Sequence, residues 1–351
     1  MKVRRQMTLL MHRTREFHGE DDTVQYITVY ENEFLSVIGL DYEISAQDDR
    51  QDVSVLKMNI GSSRDTVEAV VKSGIWSTAK SRDEKILEHR RVLSILKLMH
   101  LEGVDKKRVS HLSDFQLFRL AIARALFSYP RTIICNNPFY NVDSAFRIKM
   151  LAELHRVQKK TGVSIVYVTG EATEALRISD RIAIVHGNCI EQIGTPEEIY
   201  NTPVSRFVAK AVGINNVFEG YIRQEKDKTQ IVMECGYIQA TLSEFYENNL
   251  LYVAVRPECI RLTKECPENI YLEGRVLEYR FAGAFYETRV QLADGREVVS
   301  FLKDRSYEIG QMVYLDWDDA SATYMHTIGE PIYSTIEKLS KEVGNSLTIS
   351  V

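Results

Sequence analysis

Between Ser113 and Phe127 the apolar positions Leu117, Leu120, Ala121, Ala125 and Phe127 recur at helical spacing, and Tyr129-Pro130 ends the run. Ser113, followed three residues later by Gln116, forms a capping box at the start, each side chain taking a backbone N–H that the first turn leaves open. The next run, Thr132 to Cys135, is β-branched and apolar without alternation, as in a strand buried on both faces of a parallel sheet. Asn136-Asn137-Pro138 then turns the chain at the carboxyl end of that strand, where open α/β sheets hold their ligands.

The same reading extends in both directions. Residues 1 to 40 read as strands, the last running from Glu33 to Gly39. Ser81 to Leu101 is an amphipathic helix with Ile86, Leu93, Leu96 and Leu98 toward one side, ended by Gly103. Asp143 is a natural N-cap for a helix from Ser144 to Lys160, with Phe146, Met150, Leu151, Leu154 and Val157 on its core face and Gly162 at its end. A strand to Thr169, a hairpin turning at Gly187-Asn188 and a capped helix from Thr195 follow. Near residue 214 the pattern changes to short strands alone, with Asp294-Gly295 as a hairpin turn, which predicts an all-β domain of small barrel type. The expected domains are 1–213, α/β with a helical subdomain near 65–112, then 214–328, all-β, with a tail, 329–351, able to form a short helix.

Composition narrows the function classes. A net charge of -5 and no basic surface interleaved with aromatics argue against nucleic acid. No stretch approaches the ~18 apolar residues of a membrane span, and the basic start, MKVRRQMTLLMHRTR, is too short in its apolar part for a signal peptide. The five cysteines are scattered, without metal-ligand spacing, so they read as structural thiols in a reducing compartment. The eight histidines form no cluster.

The candidate chemistry comes from a resemblance. LSDFQLFRLAIARAL resembles the signature helix of the ATP-binding-cassette (ABC) transporter ATPases, which usually begins LSGGQ, and IICNNPFYNVD resembles their Walker B strand, catalytic glutamate and D-loop, usually DEP and then SALD. VSIVYVTGEATEALRISDRIAIVHGNCIEQIGTPEEIYNTPVSRFVAKAVG resembles the H-loop strand and closing part of the same domain, most closely in importers for polyamines, sugars and inorganic anions. AVRPECIRL, FAGAFYETRV and VYLDWDDASATYM resemble the carboxyl-terminal TOBE domain of polyamine-type importer ATPases. The resemblance implies a P-loop-NTPase-like ABC nucleotide-binding domain followed by an OB-like TOBE domain.

Residue by residue, the resemblance implies a degenerate nucleotide site. Phe17 stands where the family stacks an aromatic on adenine, and Gly39 opens the phosphate loop. That loop requires glycine backbone, a lysine on the outer phosphates and a hydroxyl on magnesium. Here Ile44 takes the second glycine's place, Ser45 the lysine's and Ala46 the hydroxyl's, and acids at 41, 43, 48, 49 and 52 face a single arginine, Arg50, in a loop or helix start. Ser113 and Gln116 of the signature remain, while Asp114 and Phe115 replace glycines whose backbone touches phosphate. Asn136 and Asn137 replace the magnesium-shell aspartate and the catalytic glutamate, and amides supply neither an anionic ligand nor a base. Asp143 matches the D-loop aspartate, Gly170 stands in place of the H-loop histidine, and the Q-loop glutamine has no counterpart.

The expected protein is a pseudo-ATPase, catalytically inactive, serving as scaffold or regulatory subunit of a polyamine-type importer. Its expected partners are membrane permease subunits and a dimer mate, a second copy or a second ATPase subunit, at the inner face of the cell membrane. No cofactor is expected. ATP and magnesium enter only under the first alternative, an active ATPase with a non-standard site; the second alternative is an interaction or solute-sensing protein free of any transporter.

Overall fold

Uninterrupted apolar runs need cover on both faces, and three lie side by side in the first of two compact units, which divide between Ile199 and Tyr200. The structure, a computed structural model, describes residues 6–13, 25–39, 42–46, 52–60, 62–74, 81–139, 142–186, 189–213, 216–225, 228–240 and 250–326. Phe17, the Gly187-Asn188 turn and the expected tail helix lie outside the described residues.

In chain order the first unit has β1 (Gln6–Arg13), β2 (Gln25–Tyr30), β3 (Phe34–Ile38), β4 (Tyr42–Ala46) and β5 (Val53–Val55). Helices α1 (Val67–Lys72), α2 (Arg82–Leu98) and α3 (Asp114–Leu126) come next. Then follow β6 (Thr132–Asn136), α4 (Ser144–Thr161), β7 (Ser164–Thr169), α5 (Ala172–Ile178), β8 (Arg181–His186) and β9 (Cys189–Gly194). α6 (Pro196–Asn201) runs across the division. A six-stranded sheet has the order β5-β6-β7-β3-β8-β9, parallel except for β9. A three-stranded antiparallel sheet, β2-β1-β4, supplies Ile27 and Val29 to a core shared with Leu35, Val37, Val166 and Val168.

The helical subdomain packs α1, α2 and α3 together, with a capping box between Ser81 and Glu84 at the start of α2. Its inward stripe corrects the expected one. Val92, Ile95, Leu96 and Met99 are buried at i, i+3, i+4 and i+7, whereas Ile86 and Leu93 are 43% and 41% exposed. The helix also stops at Leu98, ahead of Gly103, whose φ of +72° shapes the following loop. Gly74, just beyond α1, is pressed against α3: a Cβ there would lie 2.2 Å from the Arg124 carbonyl oxygen. Gly74→Ala is therefore expected to destabilise the first unit by about 1–3 kcal/mol, read as a lower urea midpoint; an unchanged midpoint would mean the helices separate freely.

The second unit holds α7 (Arg206–Ala211) and the strands β10 (Asn216–Glu225), β11 (Lys228–Met233), β12 (Gly236–Ala240), β13 (Leu250–Val255) and β14 (Arg261–Thr263). β15 (Ile270–Phe281), β16 (Tyr286–Leu292), β17 (Glu297–Leu302), β18 (Met312–Asp316) and β19 (Ala322–His326) complete it. All pairings are antiparallel, in the order β14-β18-β15-β12-β11-β10-β13-β19 with β16 and β17 branching from β15. One core, with Phe218 stacked on Trp317 at 5.6 Å, lies inside. The unit begins ahead of the change of pattern at 214 because α7 buries Ala209 against Ala254 and Met325.

Candidate functional site

The register of the parallel strands levels their carboxyl ends, pairing Ile38 with Thr169 and Asn136 with Val168. Gly39, Asn136, Asn137 and Gly170 consequently meet along one edge of the sheet, where a ligand would sit.

Among the described residues, the segment after Gly39 does not take the form of a phosphate loop. A cradle needs a loop whose successive N–H groups converge, backed by a helix. Here Tyr42–Ala46 is a strand, antiparallel to β1, with Leu10 opposite Ser45 and Leu9 opposite Ala46. In a strand, N–H groups point alternately to either side, so they cannot converge. Over Tyr42–Ala46 this corrects the expected loop or helix start, while Asp41, Asp48, Asp49 and Arg50 lie outside the described residues; among the described residues no helix lies between β3 and β5. Asn137 takes a left-handed φ of 40° and donates its N–H to the Val168 carbonyl at 3.0 Å, so the Asn-Asn turn is stitched to β7.

Beside Gly170 a charged network fills the edge. The Glu174 carboxylate accepts from the Tyr167 hydroxyl at 2.6 Å and the Thr169 hydroxyl at 3.2 Å, and pairs with Arg147 at 3.2 Å. Glu171 pairs with the same guanidinium at 3.3 Å, and Arg147 also donates to the Val142 carbonyl at 3.0 Å. Burial, with Glu174 alongside, pushes the Tyr167 phenol far up, and burial does the same to the Cys135 thiol, so neither is an acid or nucleophile near neutrality. Two carboxylates share one arginine here, and the balance is negative. Sequence reading missed this network, because it joins Tyr167 to residues of α4 and α5 that no local pattern links.

The signature residues stand apart from that edge, at the start of α3. Ser113 Oγ accepts from the Gln116 N–H at 3.4 Å and the Ser113 N–H donates to Gln116 Oε1 at 3.0 Å, as the capping box predicts. Asp114 is exposed. The Phe115 ring turns inward, 5.9 Å from Phe146 and 6.3 Å from Phe118, under the Arg119 guanidinium at 4.7 Å. Three residues before Phe118 on the helix, it belongs to the inward face. Asp143 caps α4 by accepting from the Phe146 N–H at 3.0 Å. Arg119 is held in turn by Glu153, which also binds Arg156.

The segment after β5 carries no glutamine between Val53 and Thr66, yet the strand that leads into it is present and parallel to β6. Arg124 of α3 donates to the carbonyls of Lys57 and Asn59, fixing the segment to the helical subdomain. The expected loss is thus of the side chain and not of the strand. Among the described residues no group of three or more His, Cys, Asp and Glu could hold a metal ion.

Residues 253–325 match the family model of the TOBE domain. Over 227 residues the chain is 35% identical to the spermidine/putrescine import ATP-binding protein PotA of Clostridioides difficile, covering 64% of this chain and 63% of that one. With the protein of the same description from Mycoplasma capricolum it shares 32% identity over 251 residues, 71% of this chain and 69% of that one. The chain spans 62–64% of the length of the first four such relatives. Among solved structures, cbiO1 of Clostridium perfringens, part of the ABC transporter complex cbiONQ, superposes with a TM-score of 0.45 at 18% identity, covering 59% of this chain and 93% of that one. With a match of this extent to the Mycoplasma relative, the chain belongs to the family of the spermidine/putrescine import ATP-binding proteins, ABC transporter ATPases.

Proposed function

We propose that this chain is a non-hydrolysing subunit of a polyamine-type ABC importer, serving as scaffold or regulatory partner on membrane permease subunits, as a homodimer or beside a second ATPase subunit. The observation that carries the reading is β4, a hydrogen-bonded strand where a phosphate loop and its helix would begin. The donor set around it agrees. Asn136 and Asn137 bring neutral amides to the edge, Glu171 and Glu174 bring negative charge, and serine and alanine stand at 45 and 46 where the resemblance calls for a lysine and a metal-binding hydroxyl. A magnesium triphosphate does not fit these residues. At ~4 Å and an effective dielectric near 20, each unmatched pair of like charges costs about 4 kcal/mol.

The side of α2 that carries Ile86, Leu87 and Leu93, exposed at 43%, 63% and 41%, supports the partner reading, since an amphipathic helix with apolar residues left outside suits a protein neighbour. No described helix is long and apolar enough to cross a membrane.

Equilibrium titration of the full chain with ATP, with and without magnesium, tests the reading. We expect no saturable binding up to about 1 mM, the equivalent of about 4 kcal/mol; magnesium-dependent micromolar binding would favour the active-ATPase alternative. Co-purification with permease subunits from native membranes separates the scaffold from a transporter-free sensor, which would come away alone.

A further inference from the structure

In the helical subdomain the stretch entering α1 and the stretch entering α3 are laced together antiparallel. Thr66 pairs with Arg108; the Val67 N–H donates to the Lys107 carbonyl at 3.0 Å, the Val109 N–H to the Asp65 carbonyl at 3.0 Å and the Ser110 N–H to the Ser63 carbonyl at 3.3 Å. Val67 and Val109 are buried beneath this lacing, which gathers Arg64, Lys106, Lys107 and Arg108 on the outside, all exposed. None of these four side chains has a hydrogen bond or ion pair with the described residues. Of the acids nearby, Asp65 accepts from the Ser62 N–H at 3.1 Å and Glu68 is tied to Lys72 and His89, which leaves Glu102 and Asp105 against the four cations. Among the described residues no large apolar side chain is exposed between 56 and 85 or between 94 and 128.

We propose that this patch rests against the acidic headgroups of a phospholipid membrane. Protein interfaces are anchored by aromatic and apolar side chains, and single-stranded nucleic acid by stacked rings, and the patch offers neither. Four long cationic side chains over a polar surface suit a partner whose negative charge is spread over a plane, where each ammonium or guanidinium donates to phosphate oxygens. The rest of the chain strengthens the orientation: with a net charge of -5 overall, an acidic surface repels most of the molecule and attracts it patch first. The contact is independent of the nucleotide reading and of any permease, since vesicles of pure lipid contain neither.

The test is sedimentation of the full chain with vesicles of phosphatidylcholine alone and of phosphatidylcholine with about one-third phosphatidylglycerol. Each cation at the surface is expected to tighten binding about fivefold, which for Arg64, Lys106, Lys107 and Arg108 together places half-binding near about 1 mM acidic lipid. The neutral vesicles should leave the chain in solution, and salt raised toward about 1 M should release it from the acidic ones. Lys106→Gln and Lys107→Gln should each weaken binding about fivefold. Arg223→Gln, which removes the same charge from an exposed position of β10 in the second unit, should leave it unchanged. Equal binding to both kinds of vesicle, none to the acidic kind by about 10 mM lipid, or equal losses from Lys106→Gln and Arg223→Gln overturns the proposal. Tighter capture by poly-glutamate or by duplex DNA than by the acidic vesicles also overturns it, in favour of a protein or nucleic-acid partner. The comparison of the two vesicles needs no variant, so a substitution that disturbs folding leaves the test standing.

Discussion

Replacing Glu153 by alanine is expected to cost the first unit about 3–5 kcal/mol. The Glu153 side chain is 6% exposed and binds Arg119 at 2.9 Å and Arg156 at 2.7 Å, and Arg156 also donates to the Leu98 carbonyl at 2.9 Å. One carboxylate therefore ties α3, α4 and the end of α2 together, and alanine would leave two partly buried guanidinium groups without an anion. Burial pushes the Glu153 carboxyl up, but its bonds to Arg156 and Arg119 outweigh that and hold it below its ordinary value. With the folded value below the unfolded one, the contribution is complete above about pH 4.3 and disappears as pH falls through the folded value. Urea midpoints of the native protein and Glu153→Gln should differ at neutral pH and converge in acid. A constant difference across that range would mean that Glu153 acts by shape and not by charge.

Phe118→Ala is expected to be as damaging, at about 3–5 kcal/mol, from lost transfer energy and the cavity left behind. Phe118 is fully buried, edge-on to Phe139 at 5.5 Å, and Phe139 lies 5.9 Å from Tyr167. The aromatic chain runs from the signature helix to the strand beside the degenerate edge, so the near-ultraviolet circular dichroism of Tyr167 should change along with the midpoint. A loss of less than about 1 kcal/mol, against the usual range for such truncations, would show that α3 packs elsewhere. Both predictions concern the frame around the site.

What the sequence made legible follows from how local each signal is. Capping chemistry was readable, since Ser113 with Gln116 and Asp143 with Gly162 act within one turn, and they mark α3 and α4 to within a residue. Buried parallel strands were readable from their unbroken apolar runs. β4 was missed although Tyr42, Ile44 and Ala46 alternate with Glu43 and Ser45, the period of a strand. Comparison with a glycine loop drew attention to what those residues lack. For α2 the amphipathic pattern was right and its phase wrong, because leucines occur on both sides of the helix and only packing against α1 and α3 selects Val92, Ile95 and Leu96. The Glu174 and Glu153 networks were out of reach, since each joins charges from different elements and charge at one position does not name its partner.

β5 has a consequence for how the molecule behaves in a crowded solution. A sheet edge offers unpaired backbone to any extended chain that arrives, and long flat edges seed aggregation. This edge is three residues long, Val53 to Val55, and is followed at once by Leu56, whose N–H goes to the Ile134 carbonyl at 2.8 Å. At the other end Arg131, just before β6, donates to the Asp52 carbonyl at 2.7 Å, so pairing with β6 runs only from Asp52 to Leu56. A second chain finds too short a template there to pair with. On the β5 side the sheet therefore has a border that does not invite addition of strands.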